Sequence, residues 1–156
     1  MKTHLRSMFA CLAFVFLLSC NHVFREYDKK SFPSYSWKDG QVIEFRPRIE
    51  DVTKSYVLRL GIRYHYGFSS KSFEVNVKTV APSGKEEVHN VSFQVRDEEN
   101  EHIGDCAGDI CDREIVVAEN VKLEEEGEYR VEVTHGENGY RLPGIMEVGL
   151  IIDEAG

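Results

Sequence analysis

The stretch Ser55-Tyr56-Val57-Leu58-Arg59-Leu60-Gly61-Ile62-Arg63-Tyr64-His65-Tyr66 decides the fold. Tyr56, Leu58, Leu60, Ile62, Tyr64 and Tyr66 fall on one side of an extended chain. Val57, Arg59, Gly61, Arg63 and His65 fall on the other. Successive strand side chains point to opposite faces, so this period of two predicts a strand with one buried face.

The same period recurs on both sides of that stretch. Phe73, Val75 and Val77 alternate with Glu74, Asn76 and Lys78. Val91, Phe93 and Val95 alternate with Ser92 and Gln94, and Tyr129, Val131 and Val133 with Arg130 and Glu132. Further β-rich runs lie at 42–49, 114–119 and 145–152. Pro47 cannot donate to a ladder, so the 42–49 strand belongs at an edge or carries a bulge there. The 145–152 run is apolar on both faces, which predicts a central strand. Pro82-Ser83-Gly84-Lys85 reads as a tight turn, and Gly127, Glu137-Asn138-Gly139 and Pro143-Gly144 punctuate the C-terminal third. The expected fold is all-β, an antiparallel β-sandwich of about seven strands.

The N-terminus has a different character. Lys2 and Arg6 precede an apolar run from Met8 to Leu18, and Leu17-Leu18-Ser19-Cys20 closes it. The run is too short to span a bilayer and reads as a signal peptide over 1–19. Its end resembles the lipobox of bacterial lipoproteins. The resemblance implies cleavage before Cys20, diacylglycerol on its sulfur, and a further acyl group such as palmitate on its amine. Chains of that size anchor at about 0.8 kcal/mol per buried CH₂. Residues 20–40 are expected to be the lipidated cysteine and a tether, and 41–156 the sandwich domain. The tether is polar but carries Phe24, Tyr27, Phe32, Tyr35 and Trp37. It is too aromatic for a disordered linker, and Trp37 reads as a packing anchor.

Charge narrows the partners. Loss of Lys2 and Arg6 leaves 17 of the 19 basic residues against 27 acidic ones, a formal charge of −10. That balance argues against nucleic acid, which needs clustered cations. Two cysteines remain beyond Cys20. An exported protein pairs them, so Cys106 and Cys111 are the candidate disulfide. Free thiols are one alternative. A metal site with His102 is another, although zinc sites usually show two ligand pairs and here there is one.

Residues 97–112 hold seven acids, Asp97, Glu98, Glu99, Glu101, Asp105, Asp109 and Asp112, with no Lys or Arg. Metal binding by this acidic loop is an alternative reading, but the register of an EF-hand is absent. Gly104 and Gly108 interrupt any regular element there. No nucleophile elbow, zinc-protease helix, phosphate loop or Cys-x-x-Cys is present, and the histidines are scattered. No catalytic residue and no cofactor is implied. Arg59, Arg63 and His65 share one strand face and form the candidate interaction patch. They also suit a groove for an anionic glycan, or merely a solvated sheet face.

The pattern of these elements resembles the GldH family, the gliding-motility lipoproteins of Bacteroidetes. The resemblance rests on Cys20 with Trp37 after it, Arg63 with Tyr66, the turn Pro82-Ser83-Gly84, and Gly104 with Gly108-Asp109-Ile110. It continues through Gly127-Glu128-Tyr129-Arg130-Val131. It ends on the closing segment Leu142-Pro143-Gly144-Ile145-Met146-Glu147-Val148-Gly149-Leu150, its most specific part. Cys106, Cys111 and His102-Ile103 stand outside the pattern, the last pair where the family often carries Trp. The resemblance implies a non-enzymatic, lipid-anchored envelope protein with other envelope and motility proteins as partners. The expected location is the outer membrane, facing the periplasm, because Asn21 is not the Asp of inner-membrane retention and no acidic run follows Cys20.

Overall fold

The computed structural model describes residues 22–156. Residues 1–21, which hold the expected signal peptide and Cys20, lie outside the described residues. The described chain forms strands β1 (His22–Asp28), β2 (Ser36–Trp37), β3 (Ile43–Phe45), β4 (Arg48–Ile49), β5 (Tyr56–His65), β6 (Ser72–Val80), β7 (Glu86–Gln94), β8 (Asp105–Ala107), β9 (Ile110–Val121), β10 (Gly127–Glu128), β11 (Arg130–His135), β12 (Leu142–Pro143) and β13 (Ile145–Glu154). A five-stranded sheet runs β1-β13-β5-β9-β8 and a four-stranded sheet β3-β11-β6-β7. Two short ribbons, β10-β4 and β12-β2, complete the set. Every strand pair is antiparallel. The fold is therefore an antiparallel β-sandwich, with nine strands in its two main sheets where about seven were expected. The excess comes from segments that looked like tether or loop.

The alternation of β5 works as its pattern requires. Leu58, Leu60, Ile62 and Tyr64 are buried between the sheets against Val75, Val77, Phe93, Val131 and Val133 from the other layer. Two apolar faces that each need cover remove one another from water, which is what stabilises a sandwich. Tyr66 departs from the expected pattern and is 47% exposed. The strand ends at His65, and the Tyr66 N–H donates to Asp109 O at 2.8 Å in the following turn.

Strand β13 is central, with β1 on one side and β5 on the other. Ile151, on its outer side, is as buried as Leu150 on its inner side. The 42–49 run breaks at Pro47 into β3, an edge strand, and β4. Pro47 lends its carbonyl to the Tyr129 N–H at 2.8 Å. At residues 82–85 the chain turns with Gly84 at φ 90°, a conformation costly for any residue with a Cβ, and the Ala81 N–H donates to Lys85 O at 2.8 Å.

The segment expected as a tether is built into the domain. Strand β1 pairs with β13 from His22 to Asp28. Phe32 and Trp37 are fully buried, with ring centroids 6.0 Å apart. Trp37 donates from Nε1 to Gln41 O at 3.0 Å and meets the buried His135 ring edge-on at 5.3 Å. A polar-looking segment with five aromatics has enough apolar area to repay its ordering entropy. The 97–112 connection is also more regular than expected. β8 and β9 make a hairpin across Gly108, and Cys106 and Cys111 face one another within it, joined as a disulfide.

Candidate functional site

The outer face of the five-stranded sheet is assembled row by row from its register. Tyr27 of β1 stands opposite Gly149 of β13, Gly149 opposite Gly61 of β5, and Gly61 opposite Glu114 of β9. With no side chain at either central position, the Tyr27 ring lies flat across two strands. A Cβ on Gly149 would sit 2.5 Å from Tyr27 Cδ1, and one on Gly61 2.3 Å from its hydroxyl. Mid-strand glycine often marks such a close approach. The Tyr27 hydroxyl reaches across to donate to Glu114 Oε1 at 2.9 Å. Arg25 donates to the same oxygen at 2.5 Å and holds its guanidinium 5.6 Å from the Tyr27 ring centroid. Burial and the Glu114 carboxylate together push the Tyr27 phenol up to about 12.

The neighbouring rows are ion pairs. Arg63 lies between Glu147 and Asp112 in register. It donates from Nε and Nη2 to Asp112 at 2.8 and 3.0 Å and from Nη1 to Glu147 at 3.3 Å. The Asp112 carboxylate holds the Arg63 guanidinium in its charged form, raising its pKa. Arg59 pairs with Asp153 at 2.9 Å, and His22 contacts the same carboxylate. An open cleft of about 700 Å³ lies over this face, lined by Arg25, Tyr27, Arg63, Asp112, Glu114 and Glu147 with Gly104 and Asp105 at its rim.

The register sets the electrostatics of the candidate patch. Arg59 and Arg63 do share the outer face, but acids on both neighbouring strands compensate them, so the face is not a bare cationic surface. His65 sits at the end of β5, and its Nδ1 accepts the Gly67 N–H at 2.8 Å. Tyr27, Arg25 and Glu114 were not among the expected site residues. The signal that marks them was present: Gly61 and Gly149 interrupt two strong strand patterns.

The acidic loop does not gather its carboxylates. Asp97 Oδ1 accepts the Glu101 N–H at 2.8 Å, and Asp112 is committed to Arg63. Among the described residues, the group of three His, Cys or acidic side chains within reach of one ion is His102 with Cys106 and Cys111. Its sulfurs are bonded to each other, so neither is a thiolate ligand. The exposed aromatics Tyr35, Tyr66 and Tyr140 lie beyond strand ends and not on a sheet face. Tyr27, which does lie on a face, is covered by Arg25.

Comparison with known proteins finds gliding-motility lipoproteins among the chain's relatives. The chain is 26% identical over 164 aligned positions to "Gliding motility lipoprotein GldH homolog" of Christiangramia forsetii, covering 97% of this chain and 99% of that one. It is 29% identical over 152 positions to "Gliding motility lipoprotein GldH" of Flavobacterium johnsoniae, covering 92% of each. Among solved structures, TmCBM61 in complex with beta-1,4-galactotriose aligns at a TM-score of 0.31 and 14% identity, over 84% of this chain and 81% of that one. A likeness that weak carries no argument about either fold or ligand. The family model described as GldH lipoprotein matches residues 22–152, from the first residue of β1 to within two residues of the end of β13. The glycine platform, the ion-paired face and the closing segment that forms β12 and the start of β13 are therefore features of a chain that belongs to the GldH lipoprotein family.

Proposed function

We propose that this protein is a lipid-anchored, non-enzymatic component of the cell envelope that serves the gliding-motility apparatus, and the protein-secretion machinery linked to it, as a scaffold or adaptor. Residues 1–19 act as the signal peptide and Cys20 carries the lipid. One residue, Asn21, separates Cys20 from β1. The sandwich then sits directly against the membrane rather than on a leash, in the outer membrane and facing the periplasm.

The observation that carries the adaptor reading is the outer face of the five-stranded sheet. Its cleft is walled by Arg25–Glu114 and Glu147–Arg63–Asp112 pairs beside the Gly61–Gly149 platform. Such a surface recognises a protein by charge complementarity, since each pair offers both signs at fixed positions. Arg63 and Arg59 are the positions where a reversed charge disrupts most.

The test is affinity recovery of crosslinked complexes from cells. Arg59→Glu with Arg63→Glu should abolish recovery while the circular dichroism spectrum stays native. His65→Ala and His135→Ala should retain it, because no proton transfer depends on either. Full recovery in the double Glu variant would eliminate this face as the docking surface. Labelling with a fatty-acid analogue tests the anchor, and incorporation that persists in Cys20→Ala would exclude Cys20 as its site.

A further inference from the structure

The hairpin β8–β9 carries an arrangement that the adaptor reading does not use. Its two sulfurs are unequally placed: Cys106 is exposed, and Cys111 is completely buried. A ring nitrogen of His102 and both sulfurs lie within 4.8 Å of one another. The His102 ring is held by stacking, with the Tyr66 centroid 4.1 Å and the Tyr64 centroid 6.0 Å away. Arg96 Nε donates to His102 Nε2 at 3.4 Å. An accepting Nε2 places the neutral ring's proton on Nδ1. That Nδ1 is buried and has no hydrogen-bond partner while the sulfurs are joined. A buried donor without an acceptor is costly, and a thiolate formed beside it would supply the acceptor.

We propose that Cys106–Cys111 is a thiol–disulfide exchange site in which an incoming thiolate attacks Cys106 and Cys111 departs as a thiolate stabilised by His102. The new bond joins the incoming sulfur to Cys106 Sγ. The Cys106–Cys111 bond breaks, and its electron pair leaves on Cys111 Sγ, which lies within 4.8 Å of a His102 ring nitrogen. The second thiol of a dithiol donor then attacks the incoming sulfur and releases Cys106. The disulfide gains two electrons and two protons, and the donor is oxidised to its own disulfide. The exposure of the two sulfurs sets the direction of attack, because exchange depends on which sulfur the thiolate reaches. Stabilising the leaving thiolate favours both the rate and the reduced state. The Tyr66 ring, which leaves the apolar face predicted for it, has its place here as one wall of the His102 slot.

The experiment uses the full chain purified in detergent, with reduced glutathione as the attacking thiol. Rapid quenching with iodoacetamide should give glutathione on Cys106 and carbamidomethyl on Cys111. Equilibrium titration with dithiothreitol should shift about tenfold toward the disulfide in His102→Ala, as expected for losing a hydrogen bond to a charged acceptor. His102→Gln, which keeps an N–H donor, should recover most of that shift. Glutathione found mainly on Cys111, or equally on both, would overturn the assigned direction. An unchanged titration in a folded His102→Ala protein would overturn the role of the imidazole.

Discussion

Gly149→Ala tests the platform under Tyr27, and its cost follows from the contacts. The added Cβ would sit 2.5 Å from Tyr27 Cδ1 and 2.7 Å from Cγ. Those atoms lie at the root of the side chain, so the ring cannot swing clear without leaving the surface. A displaced Tyr27 loses its half-buried ring contact, roughly 1 kcal/mol. It also loses the hydrogen bond to Glu114, about 1 kcal/mol. Against this, Ala in a strand interior is favoured over Gly by about 0.5–1 kcal/mol. The net destabilisation is therefore about 1–1.5 kcal/mol. The diagnostic quantity is the coupling. In a Tyr27→Ala background there is nothing to displace, and Gly149→Ala should become stabilising by about 0.5–1 kcal/mol. The double-mutant cycle should thus give an interaction of about 2 kcal/mol by urea denaturation of the lipid-free domain, read at constant m-value. Gly61→Ala should couple more weakly, since its Cβ meets the hydroxyl end of the ring, which can move. An interaction below about 0.5 kcal/mol between residues 27 and 149, the usual limit of additivity, would refute the platform.

Three further outcomes follow from the same geometry. Trp37→Ala removes the anchor between Phe32 and His135 and should cost about 3–5 kcal/mol in thermal or urea unfolding. A loss under about 1 kcal/mol would mean that the 29–41 segment is not part of the cooperative core. Tyr27 has a folded-state pKa raised to about 12 from an ordinary value near 10. Its contribution is complete below pH 10 and fades as pH climbs toward 12, so Tyr27→Phe should flatten that alkaline loss, and identical alkaline profiles would contradict the half-buried, Glu114-bonded phenol. Replacing both Cys106 and Cys111 by Ser opens a small loop and should lower stability by no more than about 2 kcal/mol, whereas unfolding of the whole domain would show that the hairpin nucleates it.

Much of this architecture was legible before any tertiary contact was known. The period of two at 56–65 and at 73–77 depends only on where side chains leave an extended backbone, and it placed the buried faces correctly. Pro47 announced an edge or a bulge because a missing N–H is a property of the residue itself. The apolar character of both faces at 145–152 announced a central strand for the same kind of local reason. The lipobox-like end and the closing segment pointed to the family through residue identity alone. Other features depend on which strands become neighbours. Sequence showed that Arg59 and Arg63 share a strand face, but only register set Asp153, Asp112 and Glu147 beside them, and register is fixed by pairing across 49 to 94 residues of chain. Strand β1 looked like tether because its mixed polarity makes sense only once β13 offers it an edge. Gly61 and Gly149 each signalled a close approach, but neither could name the approaching group. That required β1, β13, β5 and β9 to align four residues from distant parts of the chain in one row, so that Tyr27 could lie across two glycines and reach Glu114.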